Sequence, residues 1–293
     1  MKKITSLILI SLIILGCYGN STALANSDIE YFDGYSSKYT FNEYTVMKDI
    51  LKKTDDELYK MGYSVEDVKE MREINYEEII FERYTKKYGK VQNNNLTAKE
   101  FVDTLTDEQI ASIMANCSVS HRLDPRDFYY MSGENKTYAR ITFSWQWDMS
   151  PVFHGIDIVA LGWDAQMYAN TTTSFVNVNY GMDGSTHLIT QTHRFTPYES
   201  YNVSDTFDLS IRPYGHGSTD PVYYAKNGSG TLHLYCAGKN QNLGVAFSYG
   251  HTWVGMSEPS ISLSPGQYPI GVGFSFSFNV TQYKSPLKTG HIY

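Results

Sequence analysis

Cysteine is scarce in this 293-residue chain: three residues, with no CxxC pair and no cluster. That leaves no basis for thioredoxin-like redox chemistry or for a zinc ribbon. Basic residues are also in deficit, 24 Lys+Arg against 31 Asp+Glu, and a net charge of −7 argues against a surface built to hold nucleic-acid phosphates. Charged residues make up only 19% of the sequence. Beyond the first residues no apolar run approaches the length of a transmembrane helix. Also missing are an HExxH metal site, a GxSxG nucleophile elbow and a phosphate-binding glycine loop followed by a helix. What is abundant is aromatic: 25 Tyr and 14 Phe, within a hydrophobic content of 42% that rules out a disordered chain.

The N-terminus reads as a targeting segment. Lys2 and Lys3 precede an almost wholly apolar stretch from Ile4 to Leu15. At about 12 residues this stretch is too short to cross a bilayer core of roughly 30 Å. Ala23-Leu24-Ala25 places small residues where a signal peptidase reads, so cleavage is expected after Ala25, giving a signal peptide over 1–25 and a secreted product. Within the same segment, Ile14-Leu15-Gly16-Cys17 resembles the lipobox of bacterial lipoproteins. That resemblance implies lipidation of Cys17 and a membrane anchor, although Leu15 stands where the family prefers Ala or Ser. Release is the first expectation and anchoring the alternative.

Charge then divides the chain. Residues 26–135 hold 36 charged side chains in 110 positions and residues 136–293 hold 17 in 158, so a domain boundary is expected near residue 135. The first part should be helical. Thr54-Asp55-Asp56-Glu57, Thr97-Ala98-Lys99-Glu100 and Thr106-Asp107-Glu108-Gln109 fit the capping box, and Ser64-Val65-Glu66-Asp67 is a variant of it. Gly62 should end the helix begun at Thr54, Val68, Met71 and Ile74 follow helical spacing, and a further helix is expected from Tyr76 to Tyr88. Leu58 to Ser64 resembles the Met-Gly-Phe/Tyr loop of ubiquitin-associated three-helix domains; in an exported chain this implies packing alone. The region also resembles helical stretches of uncharacterised exported proteins of Gram-positive bacteria, which implies location and no particular activity.

After Lys136 the period becomes two. Ile141, Phe143, Trp145 and Trp147 alternate with Thr142, Ser144, Gln146 and Asp148, and Leu232, Leu234 and Cys236 with His233 and Tyr235. Phe207–Ile211, Leu243–Tyr249 and Val272–Val280 alternate in the same way. Turns are expected at Met182–Ser185, Asn227–Gly230 and Ser264–Gly266. Without helical crossovers, pairing should be antiparallel. The expected class is α+β: a small N-terminal helical region over 26–135, then an all-β antiparallel sandwich or barrel-like domain over 136–293. The polar faces carry Ser, Thr, Asn and Gly in preference to Lys or Glu.

Chemistry is thinly signposted. Cys117 and Cys236 either form a disulfide or remain buried free thiols. His187 and His193 share parity on one expected strand, where Asp208 or His233 could join them. Asp157, Asp164 and Glu258 have no visible partner, and no cofactor or metal is indicated. Trp145 and Trp147 belong to the core by parity, which leaves Trp163 and Trp253 as candidate ligand platforms. Three function classes remain. The first is a secreted, non-catalytic binding module for an extracellular glycan or protein surface, using Trp163, Trp253, His187 and His193. The second is a pore-forming β-protein, with membrane contact through that route or through lipidated Cys17. The third is an extracellular hydrolase with a histidine/carboxylate site.

Overall fold

The computed structural model describes residues 29–31, 35–60, 63–89, 96–153, 155–163, 167–199, 201–213, 220–252, 261–265, 272–276, 280–284 and 288–291. Residues 1–25, expected to be a signal peptide, with Cys17, and also Gly62, Asp164, Trp253 and Glu258, lie outside the described residues.

Two strands open the chain, β1 (Ile29–Tyr31) and β2 (Tyr35–Asn42). Six helices follow: α1 (Glu43–Leu51), α2 (Asp55–Lys60), α3 (Val65–Glu73), α4 (Tyr76–Tyr88), α5 (Ala98–Val102) and α6 (Asp107–Ile113). Strands then run through β3 (Asn116–Met131), β4 (Lys136–Trp147), β5 (Ile156–Trp163), β6 (Tyr168–Ala169), β7 (Phe175–Gly181), β8 (Leu188–His193) and β9 (Thr196–Glu199). The chain continues with β10 (Asn202–Asp208), β11 (Ser210–Ile211), β12 (Tyr223–Ala237), β13 (Asn242–Thr252), β14 (Ile261–Pro265), β15 (Val272–Phe276), β16 (Val280–Lys284) and β17 (Lys288–His291).

All pairing is antiparallel, as the lack of helical crossovers predicts. A nine-stranded sheet has the order β1-β3-β4-β12-β7-β8, with β2 on β3 and with β6 and β11 on β12. A six-stranded sheet has the order β16-β13-β5-β10-β9, with β17 on β13. The core lies between them. Ile141, Phe143, Trp145, Val176, Val178, Leu232 and Leu234 of the larger sheet meet Val159, Leu161, Val203, Phe207, Val245 and Phe247 of the smaller. Rings carry much of this contact, with Phe143 and Phe247 at 4.9 Å and Trp145 and Phe207 at 5.0 Å. The α+β class is therefore as expected.

The helices form where the capping signals stand. Ser64 and Asp67, Thr97 and Glu100, and Thr106 and Gln109 each make both bonds of the box. Thr54 and Glu57 do the same at α2. Met47, Leu58, Val68, Met71, Ile80, Ile110 and Ile113 close a second core of their own.

Two expectations are corrected. The boundary near residue 135 falls inside the hairpin of β3 and β4, with Met131 opposite Lys136. The helices are an excursion between β2 and β3, which pair with each other from Tyr35↔Leu123 to Asn42↔Asn116. Charge misplaced the boundary because β3 carries Arg122, Asp124, Arg126 and Asp127 on or beside its exposed face. The other correction concerns Asn227–Gly230, which is strand interior in β12. An added Cβ on Gly228 would stand 2.1 Å from the Trp145 ring, and one on Gly230 would stand 2.2 Å from that of Phe143. These glycines make room for core aromatics and turn nothing. At Met182–Ser185 the expected turn is present, with Gly184 at φ +78.

Candidate functional site

A polar cluster is sealed between the sheets where they meet the helices. Asp157 on β5 is wholly buried, and Tyr249 donates to its Oδ2. His251 Nδ1 lies 2.9 Å from Oδ1, and Trp147 Nε1 donates to the Tyr249 hydroxyl at 3.0 Å. Glu43, the first residue of α1, is also wholly buried, and its Oε1 accepts from the amides of Val152 (2.5 Å) and Phe153 (3.3 Å). Burial pushes the Glu43 carboxyl up, against the pull of His251 and Arg83. Burial alone would lower the His251 value, but the charge and hydrogen bond of Asp157, helped by Glu43, carry it above the ordinary histidine range. Burial, and then Asp157, hold both the Tyr249 hydroxyl and the Cys117 thiol protonated. Both members of this histidine–carboxylate dyad are wholly buried. What it can do is fix the register of α1 and β5 through bonds that a mispacked state cannot make.

The expected binding residues do not converge. Trp163 is 2% exposed, packs in the core, and donates from Nε1 to the Met167 carbonyl at 2.9 Å. His187 is exposed, with its ring edge-on to Tyr223 at 6.5 Å. His193 instead reaches across to the other sheet, where Asp205 on β10 lies 3.1 Å from Nδ1 and raises its pKa through that hydrogen bond. Asp208, expected beside it, adds a smaller charge effect in the same direction. Of the two readings of the cysteines, the second holds: Cys117 and Cys236 are free and buried. Both neighbour β4, but Cys117 stands opposite Trp147 and Cys236 opposite Thr137. Ten residues of strand is roughly 33 Å, far beyond a disulfide's reach.

The exposed chemistry lies on the outer face of the nine-stranded sheet. Down its middle, hydroxyls and amides bond across strands: Thr40 to Ser118 (2.9 Å), Ser120 to Ser144 (2.8 Å), and Asn179 to Asn227, Thr190 to Asn179 and Thr192 to Asn177 (each 2.7 Å). At one end the register sets Tyr129 opposite Tyr138, Tyr138 opposite Tyr235, and Tyr235 opposite Tyr168. The result is a row of four tyrosines over four neighbouring strands. Beside it lies a cavity of about 360 Å³ lined by Arg126, Asp127, Tyr129, Tyr138, Arg140 and His233. Sequence reading passed over this place because the four tyrosines come from four separate segments. The parity of Tyr235 opposite the core residues was the available signal.

A third feature is the pair β14 and β15, which among the described residues hydrogen-bond to each other and to neither sheet. Their register sets Ile261 opposite Phe276, Leu263 opposite Phe274 and Ser262 opposite Ser275. β15 lies against β13 and β5. On those two strands the residues that alternate with the core positions include Ala160, Gly162, Gly244, Ala246, Ser248 and Gly250, all buried.

No family model and no curated protein matches the sequence. Among solved structures, a protein described as a pore forming protein is 7% identical with a TM-score of 0.27, covering 60% of this chain and 84% of its own. The delta-toxin of Clostridium perfringens is 7% identical with a TM-score of 0.23, covering 64% and 85%. The KRT10-binding region domain of the pneumococcal serine rich repeat protein PsrP is 9% identical with a TM-score of 0.23, covering 46% and 76%. Likeness at this level assigns neither family nor activity.

Proposed function

We propose that the protein is exported and acts on membranes by inserting a β-hairpin. The observation that carries this reading is the β14–β15 pair, which is amphipathic by register and hydrogen-bonded to neither sheet. A membrane-crossing strand needs about 10 residues with apolar and polar positions alternating. The alternation that starts in β15 runs in the sequence from Val272 to Asn279, with Phe274, Phe276 and Phe278 against Ser275, Ser277 and Asn279, before β16 joins the smaller sheet at Val280. In the inserted state the apolar positions face lipid and the serines face a water-filled lumen.

Dye release from phosphatidylcholine–cholesterol vesicles and lysis of erythrocytes test the proposal, using the chain from Asn26 onward. Release should occur at micromolar protein or below. Phe274→Asp should abolish it at an unchanged unfolding midpoint, because a carboxylate on the lipid side opposes insertion. Ser275→Lys should preserve conductance and shift ion selectivity toward anions, since a lumen position tunes selectivity. Silence toward both vesicles and erythrocytes overturns the proposal. A non-inserting adhesin is the second reading, favoured by the hydroxyl- and amide-rich outer face; it requires surface binding without leakage.

A further inference from the structure

The tyrosine row and the cavity beside it go beyond membrane insertion. Tyr168 and Tyr235 are 61% and 40% exposed, with ring centroids 6.2 Å apart. Tyr129 and Tyr138 are stacked at 5.5 Å, and the Tyr138 hydroxyl donates to Glu134 at 2.6 Å, which fixes its ring. From first to last strand the row spans roughly 14 Å at the usual strand spacing. Rings of this kind give large contact area for little lost entropy, because each has only two side-chain torsions.

The cavity supplies polar groups of both senses at the edge of the row. The Arg140 guanidinium lies 2.8 Å from Asp127 Oδ1, so a donor group and an acceptor group stand side by side. Thr173 accepts from His233 Nδ1 at 3.2 Å, and the His233 amide donates to Ser174 Oγ at 3.0 Å. With its proton on Nδ1, the ring presents Nε2 as an acceptor. Burial lowers the His233 pKa, keeping the ring neutral at physiological pH.

From this geometry we infer that the outer face binds a neutral glycan, one sugar ring seated against Arg140, Asp127 and His233 and its neighbours lying along Tyr138, Tyr235 and Tyr168. A sugar hydroxyl donates and accepts at once, and the Arg140–Asp127 pair answers both functions. The flat face of a pyranose ring covers aromatic carbon. A peptide partner would want an apolar pocket for an anchor side chain. Beside Ala139, Leu234 and the tyrosine rings, this cavity presents a guanidinium, a carboxylate and an imidazole, groups that a sugar's hydroxyls use and an apolar anchor does not.

A printed glycan array probed with the chain from Asn26 onward tests the inference, followed by calorimetry with the best-bound soluble oligosaccharide. Neutral glycans should be retained. Tyr235→Ala and Arg140→Ala should each weaken binding about tenfold, the equivalent of ~1.4 kcal/mol. Tyr88→Ala, an exposed tyrosine on α4, should leave it unchanged. Retention of no glycan overturns the inference, as does retention indifferent to both substitutions or capture of a protein ligand by the row in place of sugar. Vesicles without glycan separate this outcome from the membrane proposal, since leakage from them should be the same for Tyr235→Ala as for the unaltered protein.

Discussion

Asp157 gathers its partners from far along the chain: Tyr249 is 92 residues on and His251 is 94. The sequence offers the carboxylate but not the company, since both partners sit on a strand that becomes a neighbour only when the smaller sheet forms. Asp157→Ala leaves a buried hydroxyl and a buried imidazole without their acceptor. The expected cost is about 3–5 kcal/mol of unfolding free energy, as for breaking a buried charged pair, read from urea denaturation near neutral pH. The pair of His193 and Asp205 makes a second prediction at this scale. The Asp205 carboxylate, 3.1 Å from Nδ1, raises the folded-state pKa of His193 above its unfolded value. Its contribution is therefore complete below about pH 6.5, the ordinary histidine value, and is lost as pH rises through the raised one. Denaturation midpoints measured across that window should flatten in Asp205→Asn, while an unaltered slope would mean that the pair contributes nothing.

Helices were legible because their signals are local. A Thr or Ser and the acid or amide three residues on make both bonds of a capping box without reference to the rest of the fold, as at Thr97 and Thr106. Thr106→Ala should cost about 1 kcal/mol by denaturant unfolding. Strand interiors were less legible where glycine intervenes. Gly228 and Gly230 look like a turn in sequence and are a cleft for Trp145 and Phe143 in the sheet. Gly230→Ala should therefore destabilise by about 1–3 kcal/mol through overpacking. Gly133→Ala, in open space, should be close to neutral under the same assay. Equal effects at the two positions would show that the rings give way more easily than the close approach implies.

Across the whole molecule, charge and topology disagree about where the chain divides. The acidic helices are set between β2 and β3, and α1 is held to the sandwich by the buried bonds of Glu43 to Val152 and Phe153. Helices and sandwich should therefore unfold in one transition, with coincident far-ultraviolet and tryptophan signals. Cys117 and Cys236 form no disulfide with each other, so dithiothreitol should not move the midpoint, and denatured, unreduced protein should alkylate at both. By itself the sequence determined the α+β class, the capped helices and the strands with one buried face, because propensity, caps and period act within a few residues. Which strands become neighbours was decided only by the tertiary structure. That choice aligned four distant tyrosines beside a polar cavity, parted two cysteines along β4, sealed Asp157 with His251, and left β14 and β15 outside both sheets. Each of these depends on contacts between segments many residues apart, and the energy of such contacts is not written in any local pattern.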